Sequence, residues 1–362
     1  MSRAISLDTI RAAAPHVYGA AVRTPLVRLN VTEGHGRESS DPPIEIWLKL
    51  ETLQPIGAFK IRGAANAIAS LIERGLIAQR TEGGVGAPRV SEPGGVQGSP
   101  PENEVWTVSA GNAAQGVALA AKHAGIRCSV LVMDTAPAAK LDAIRRLGAE
   151  IVQAPYEECW KAVETHGSPR MTGHFVHPFD DDAFISGNGT AGLEIMDDLP
   201  EVDAVIAAVG GGGLLSGIGC AIKSLKPDVK IYAAEPETAA PLHASFAAGK
   251  PVAFDGWTPS FVDGAGGRSV LPSMWPLLQR YVDESIVVSL AETAAAMKLA
   301  AERCHVIAEG AGACAIAAAL SSRIRHAGHR RVVAVVSGGN IDLARFATLV
   351  GACDGGAGAA NN

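Results

Sequence analysis

The most informative part of the sequence is Lys49-Leu-Glu-Thr-Leu-Gln-Pro-Ile-Gly-Ala-Phe-Lys-Ile-Arg-Gly63. Its first two residues are the end of the apolar run Glu45–Leu50, which predicts a buried strand. The Pro/Gly turn comes next, and a helix is expected to begin around Phe59. Lys60 would then lie at a helix start, where the positive end of the helix dipole lowers the pKa of an amine. A neutral lysine amine is the form that condenses with a carbonyl group. This segment by itself fits two interpretations of Lys60 equally well, a residue that forms a Schiff base and an ordinary surface lysine.

Other apolar runs, each followed by a turn and a helix-like segment, repeat this pattern along the chain. Such alternation is typical of a parallel sheet covered by helices on both faces, so the predicted fold class is α/β. The predicted strands are Glu45–Leu50, Val105–Val108, Ser129–Met133, Ala204–Val209, Ile231–Ala234 and Val332–Val336. The predicted helices are Phe59–Ile72, Gln115–Ala124, Ala136–Leu147, Leu214–Lys223 and Ile341–Val350.

Three loops after predicted strands carry residues suited to binding. In Ser109-Ala-Gly-Asn-Ala-Ala-Gln-Gly116, free N–H groups could hold a carboxylate, or Ser109 and Asn112 could simply cap the helix. The run Gly210-Gly-Gly-Gly213 could wrap a phosphate or be a flexible turn. Ser337-Gly-Gly-Asn340 offers a hydroxyl to a ring nitrogen. Since ligands gather at the carboxyl ends of parallel strands, we expect these loops to form one site with Lys60.

The composition excludes several classes of protein. With 362 residues, 48% of them hydrophobic and 19% charged, the chain can bury a large core and suits two lobes. A net charge of -6 gives no cationic surface for nucleic acid or an anionic membrane. The first twenty residues lack a signal-peptide pattern, which predicts a cytoplasmic protein. The six cysteines form no Cys-x-x-Cys pair and are expected to be reduced packing residues.

Taken together and in order, the motifs resemble those of the fold-type II pyridoxal-phosphate (PLP) enzymes, in particular the threonine/serine ammonia-lyase (dehydratase) and serine racemase group. The resemblance implies a tryptophan-synthase-β-like, two-lobed parallel-sheet PLP enzyme that forms a homo-oligomer, a dimer or a tetramer. The matching motifs are Thr24-Pro-Leu26, Ala58-Phe-Lys-Ile-Arg-Gly63, Ser109-Ala-Gly-Asn112, Gly210-Gly-Gly-Gly213, Ala234-Glu-Pro236 and Ser337-Gly-Gly-Asn340.

The resemblance also implies a domain division. Residues 1–65 and 176–350 would form a large PLP-binding domain, and residues 66–175 a small domain. A Gly/Pro-rich insertion is expected at 79–104 and a flexible tail at 351–362.

Roles for single residues follow from the same resemblance. Lys60 would be the catalytic residue and carry PLP as a Schiff base, while Ser337 would face the pyridine nitrogen. The remaining cofactor contacts would come from Phe59, Asn112, Gly210, Gly211, Gly212, Gly213, Leu214 and Glu309. The substrate carboxylate would be held by Ser109, Ala110, Gly111, Asn112 and Ala113. Glu235 is the one candidate metal ligand, but Pro241 stands near the place of its expected partner acid, so no metal site is predicted.

The implied reaction is β-elimination from a 3-hydroxy amino acid, such as threonine or serine, to a 2-oxo acid and ammonia. Ala110 replaces the second serine of the group's racemases, which predicts weak racemisation. Ala113 and the altered stretch Trp257–Gly267 leave open an ammonia-lyase for a bulkier substrate such as 3-phenylserine or 3-hydroxyaspartate. A PLP β-replacement synthase also stays open, as does a regulatory protein that binds a nucleotide at the glycine run.

Overall fold

The chain folds into two sheets with helices packed on their faces, as seen in a computed structural model that describes residues 3–30, 44–78 and 103–353. The strands are β1 (Leu26–Arg28), β2 (Glu45–Leu50), β3 (Glu104–Val108), β4 (Arg127–Met133), β5 (Glu150–Ala154), β6 (His174–Phe175), β7 (Ala204–Ala208), β8 (Lys230–Pro236), β9 (Glu284–Val288) and β10 (Arg331–Val336). The helices are α1 (Leu7–Tyr18), α2 (Lys60–Glu73), α3 (Asn112–His123), α4 (Ala138–Arg146), α5 (Tyr156–Thr165), α6 (Asp182–Asp198), α7 (Gly213–Leu225), α8 (Pro241–Ala248), α9 (Trp275–Tyr281), α10 (Leu290–Cys304), α11 (Gly310–Leu320), α12 (Ser322–His326) and α13 (Leu343–Gly351). Short 3-10 helices lie at Glu51–Leu53 and Asp263–Ala265.

The larger sheet has the strand order β1-β2-β10-β7-β8-β9, and the smaller sheet has the order β5-β4-β3-β6. All pairs are parallel except β1 with β2. The central strand β10 is buried on both faces, since Val333 and Val335 face one core and Val332, Ala334 and Val336 face the other. A continuous apolar run is the sequence expected of such a strand.

Close helix packing depends on glycines. In α6 and α7, a Cβ at Gly217 would lie 2.4 Å from the carbonyl oxygen of Ile185 and 2.7 Å from the nitrogen of Gly189. In α2, a Cβ at Gly63 would lie 2.2 Å from the ring of Phe184. The backbones of α2, α6 and α7 therefore approach each other at distances that any side chain would prevent.

The predicted α/β class and all six predicted strands are confirmed, β2 to the residue. Some bounds differ: α3 begins at Asn112 and not at Gln115, because Gly111 already supplies the helix cap. The domain division stays a prediction. The small sheet is built from residues 104–175, but the proposed boundary after residue 65 falls inside α2. Most of the predicted insertion (79–102) and of the predicted tail (354–362) lies outside the described residues.

The cysteines are all unpaired, as predicted, and four of them are buried. Across the described ranges, no helix combines the length and the apolar character that a membrane crossing requires.

Gly217→Ala should destabilise the fold by about 1–3 kcal/mol, because the new methyl group meets backbone atoms of α6 that cannot move away alone. Gly351→Ala is the matched control, since its Cβ would meet nothing within 4 Å, and its effect should stay within about 0.5 kcal/mol. Denaturant unfolding of the two variants measures the difference, and equal stabilities would contradict the packing argument.

Candidate active site

Lys60 is the first residue of α2, and its side chain points to the backbone of a neighbouring segment. Its Nζ atom donates a hydrogen bond of 2.6 Å to the carbonyl oxygen of Pro178. The same atom lies 5.1 Å from the ring centroid of Phe59 and 5.5 Å from that of Phe184. Burial of the amine lowers the pKa of Lys60 to about 8. Burial, and not the helix dipole expected from the sequence, is thus the cause of the lowered pKa of Lys60.

The turn before α2 is joined to the loop after β10 by backbone hydrogen bonds. The N–H of Phe59 donates to the carbonyl oxygen of Ser337 at 3.0 Å, and the N–H of Gly339 donates to that of Gly57 at 2.9 Å. Ala58 and Gly338 form an antiparallel bridge between these bonds. Ser337, which is buried, is thereby brought next to Lys60, and its predicted contact with a ring nitrogen stays a prediction.

Asn112 connects the small sheet with the large one. Its Nδ2 atom donates to Oε1 of Glu309 at 2.8 Å, and its Oδ1 atom accepts from Nδ2 of Asn340 at 2.8 Å. Asn340 also donates to the carbonyl oxygen of Ile56 at 2.7 Å. The Asn112 amide is therefore held in one orientation. Asn112 and Glu309 are the two of these residues expected in the site from the sequence. Asn340 was not, although it is the last residue of the motif that begins at Ser337.

Glu309 is a buried acid at the start of α11. Burial, together with the negative charge of Asp263, raises the pKa of Glu309 to about 7, while the hydrogen bond from Asn112 acts in the opposite direction. Its backbone N–H donates to the carbonyl oxygen of Gly338 at 3.0 Å. Glu309 thus lies against the same loop that carries Ser337.

The loop that begins at Ser109 leads into α3, and α3 packs against the start of α2. A Cβ at Gly116 would lie 3.0 Å from the carbonyl group of Lys60, so the first turns of α2 and α3 are in contact. The cap residue of α3 is Gly111 and no side chain caps the helix, so the capping alternative for Ser109 and Asn112 is wrong. Ser109 Oγ instead accepts from the N–H of Gly111 at 3.0 Å. Ala110 and Ala113 belong to the same loop, Ala113 being buried.

The glycine run forms the start of α7 and is packed on several sides. A Cβ at Gly211 would lie 2.1 Å from the ring of Phe179, and one at Gly210 would lie 2.8 Å from the carbonyl oxygen of Gly264. Gly212 has a φ of +90°, which only glycine adopts readily. The buried Leu214 follows it. This packing excludes a loose turn, and the first N–H groups of α7 lack acceptors within the helix.

The segment His177-Pro178-Phe179-Asp180 was missed by the sequence analysis, although it joins Lys60 to the glycine run. Pro178 accepts from Lys60, and Phe179 covers Gly211. His177 Nδ1 accepts from the N–H of Asp180 at 2.8 Å, and burial lowers the pKa of His177 to about 3. The signal that could have identified this segment is the His-Pro pair shortly before α6, in a position where a strand ends and a helix begins.

Two groups of potential metal ligands are already engaged in the protein. His166, His177 and Asp180 bring ligand atoms within 4.8 Å of one another, but Asp180 pairs with Arg3 and accepts from Ser273. Glu235, the metal candidate from the sequence, accepts from the N–H groups of Leu242 and His243 and from Ser285 Oγ. Its carboxylate therefore caps the start of α8, and we propose a metal at neither group.

The chain is similar to known proteins over most of its length. A family model described as pyridoxal-phosphate dependent enzyme matches residues 17–338. The L-threonine ammonia-lyase of Thermotoga maritima is 39% identical over 305 residues, which cover 83% of this chain and 68% of that relative. The catabolic L-threonine dehydratase of Escherichia coli is 33% identical over 352 residues, which cover 97% of each chain.

Two solved structures are similar over most of their length. Maize serine racemase has a TM-score of 0.79 at 30% identity, covering 95% of this chain and 96% of its own. The processed form of threonine deaminase isoform 2 from Solanum lycopersicum has a TM-score of 0.76 at 28% identity, covering 95% and 86%. These similarities confirm the predicted two-sheet α/β architecture.

Glu309→Gln should remove a pH-dependent component of stability. Since the folded protein binds the Glu309 proton up to about pH 7 and the unfolded chain releases it near 4.5, this carboxyl costs stability as pH rises between those values. The difference in the free energy of unfolding between the wild type and the variant should therefore depend on pH. The value for the wild type minus that for the variant should decrease by up to about 3 kcal/mol as the pH rises from 4.5 to about 7. Denaturant unfolding at several pH values measures it, and a constant difference would show that the pKa of Glu309 is not raised.

Proposed function

Because the chain belongs to the family of pyridoxal-phosphate-dependent enzymes, we propose that it is an ammonia-lyase that removes the β-hydroxyl group of a threonine- or serine-type amino acid. The products are a 2-oxo acid and ammonia. The fold is the tryptophan-synthase-β-like fold of type II PLP enzymes. The observation that carries the proposal is the Lys60 amine, buried beside Pro178 with a lowered pKa and surrounded by the loops that the family motifs form.

The residues present fit the cofactor. The start of α7 offers backbone N–H groups suited to a phosphate, and its glycines leave the backbone without side chains. Ser337 supplies a neutral hydroxyl, which suits an unprotonated pyridine nitrogen. Lys60 supplies the amine for the aldehyde, and Phe59 lies beside it. When bound, PLP supplies an electron sink that weakens the bond between the substrate α-carbon and its proton.

Lys60 is also the residue that would move that proton. With its pKa near 8, Nζ can accept a proton and release it again close to neutral pH. The substrate carboxylate would be held by the N–H groups of the segment Ser109–Ala113, which leads into α3 where that helix contacts α2. The rings of Phe59 and Phe184 cover part of the surroundings of the amine, and Lys60 as a whole is half-buried.

A racemase is the second candidate, since one similar structure is a serine racemase. Inversion at the α-carbon needs a second acid or base on the side opposite Lys60. Ala110 stands where the racemases of the group carry a serine, and its methyl group cannot transfer a proton. Elimination is therefore the better supported reaction.

We further propose that the enzyme is cytoplasmic and assembles as a dimer or tetramer. Size-exclusion chromatography with light scattering would test the oligomeric state.

The decisive assay follows 2-oxo acid formation from threonine, serine, 3-phenylserine and 3-hydroxyaspartate in the presence of PLP. Threonine or serine should give the highest kcat/KM, and Lys60→Ala should lower kcat by about a thousandfold or more because the amine is lost. A higher kcat/KM for 3-phenylserine or 3-hydroxyaspartate would favour the bulkier-substrate alternative. Formation of a thioether from an added thiol in place of the oxo acid would identify a β-replacement synthase. Normal turnover by Lys60→Ala would refute the proposal altogether.

Ala110→Ser should raise the racemisation of serine by about tenfold or more, since it restores a hydroxyl that can carry a proton. Chiral chromatography of the serine recovered from wild type and variant measures the change. Ala113→Ser, three residues along the same loop, is the matched control and should have no such effect. Rapid racemisation by the wild type would show that Ala110 does not decide the reaction.

A further inference from the structure

Four charged side chains form a fully buried network that includes the first turn of α2. They are Lys49, Glu51, Arg62 and Glu194. Arg62 is the centre of this network. The Arg62 guanidinium donates to both oxygens of Glu51 at 2.7 and 2.8 Å, and to both oxygens of Glu194 at 2.7 and 2.9 Å. Lys49 Nζ pairs with Glu194 at 2.6 Å. Two cations therefore balance two carboxylates within the protein interior.

Neutral groups complete the network. Thr24 Oγ1 and Gln54 Nε2 donate to Glu51, and Thr190 Oγ1 lies 3.1 Å from Arg62 Nη1. Tyr18, which is partly exposed, donates to Glu194 at 2.7 Å. Burying four charges costs much desolvation energy, and an apolar cluster of the same volume is often at least as stable. The more specific effect of such a network is to fix the relative positions of the elements that carry it.

Those elements are the ones that enclose the Lys60 amine. Arg62 follows Lys60 by two residues, so the two side chains leave α2 about 200° apart. Glu194 lies on α6, the helix that also carries Phe184, and Pro178 lies just before α6. A Cβ at Gly187 of α6 would lie 2.4 Å from the carbonyl oxygen of Arg62. The Arg62–Glu194 pair therefore adds a charged contact between α2 and α6, whose backbones already approach each other closely at Arg62 and Gly187.

We propose that Arg62 is a positioning residue for Lys60. Paired with Glu51 and Glu194, it holds the first turn of α2 against α6, and so keeps the amine at the Pro178 carbonyl and away from water. A lysine at position 62 would keep the charge but lose the paired guanidinium contacts to two carboxylates. The inference rests on the proposed role of Lys60 as the reactive amine.

The test is a titration of the purified full-length chain with PLP at pH values from 6 to 10. The rate at which the visible absorbance band forms reports the neutral fraction of Lys60. For the wild type the midpoint is expected near pH 8. In Arg62→Lys the amine gains access to water, so the midpoint should move up by about one pH unit and the rate at pH 7.5 should fall about tenfold.

Controls separate positioning from a general loss of stability. Glu235→Gln removes an equally buried carboxylate that caps α8, and it should lower the melting temperature without moving the midpoint. If Arg62→Lys does not fold, Tyr18→Phe tests the same idea, because it removes one bond to Glu194 and leaves all four charges. It should slow band formation at pH 7.5 by about twofold.

The outcomes are distinct. If the pH midpoint of band formation is no higher in Arg62→Lys than in Glu235→Gln, the proposed role of Arg62 is wrong. If Tyr18→Phe has to be used instead, an unchanged rate of band formation at pH 7.5 has the same meaning. Neither result would affect the proposed function. A normal band in Lys60→Ala would instead overturn the proposed function on which the inference rests.

Discussion

The parallel pairing of β2 with β10 is the constraint on which the site depends. Their register pairs Leu50 with Val336, so the two strands end side by side. The residues that follow each strand therefore meet, and the turn before Lys60 is hydrogen-bonded to the loop that begins at Ser337. The same loop accepts from the N–H of Glu309, whose carboxylate accepts from Asn112 at the start of α3, the helix that follows β3 of the small sheet. One strand pair thus orients groups from both sheets.

Burial shifts the pKa values of the two main titratable groups of the site towards each other. The value falls to about 8 for the Lys60 amine and rises to about 7 for the Glu309 carboxyl. Both groups can therefore change protonation near neutral pH, which their unshifted counterparts on a protein surface do not do. Perturbed groups of this kind cluster at functional sites. Here the perturbation arises from the fold, since enclosure of each group is the first cause of its shift.

The sequence predicted the framework of the site better than its interior. Long apolar runs identified the central strands, and the loops after them identified Lys60, Asn112 and Ser337. Four strands were missed. The strands β1 and β6 have three and two residues, too few for a pattern, and β5 and β9 are partly exposed edge strands. The contacts of Arg62, Phe179 and Asn340 could not be predicted, since each depends on partners distant in sequence. The sequence suggested only a phosphate site or a flexible turn for the run Gly210–Gly213. Close packing against Phe179 and Gly264 also requires glycine at two of these positions, whether or not a phosphate binds.

The two sheets differ in how their strands are distributed along the chain. The four strands of the smaller sheet come from one continuous segment, whereas β2 pairs with β10, which is synthesised after all the other described strands. During synthesis on a ribosome, the smaller sheet can therefore form while the apolar strand β2 is still without its neighbour. Such delayed long-range pairing slows folding and exposes strand edges to aggregation. The pairing that assembles the site therefore leaves an apolar strand edge of the nascent chain open to aggregation until residues 331–336 have emerged.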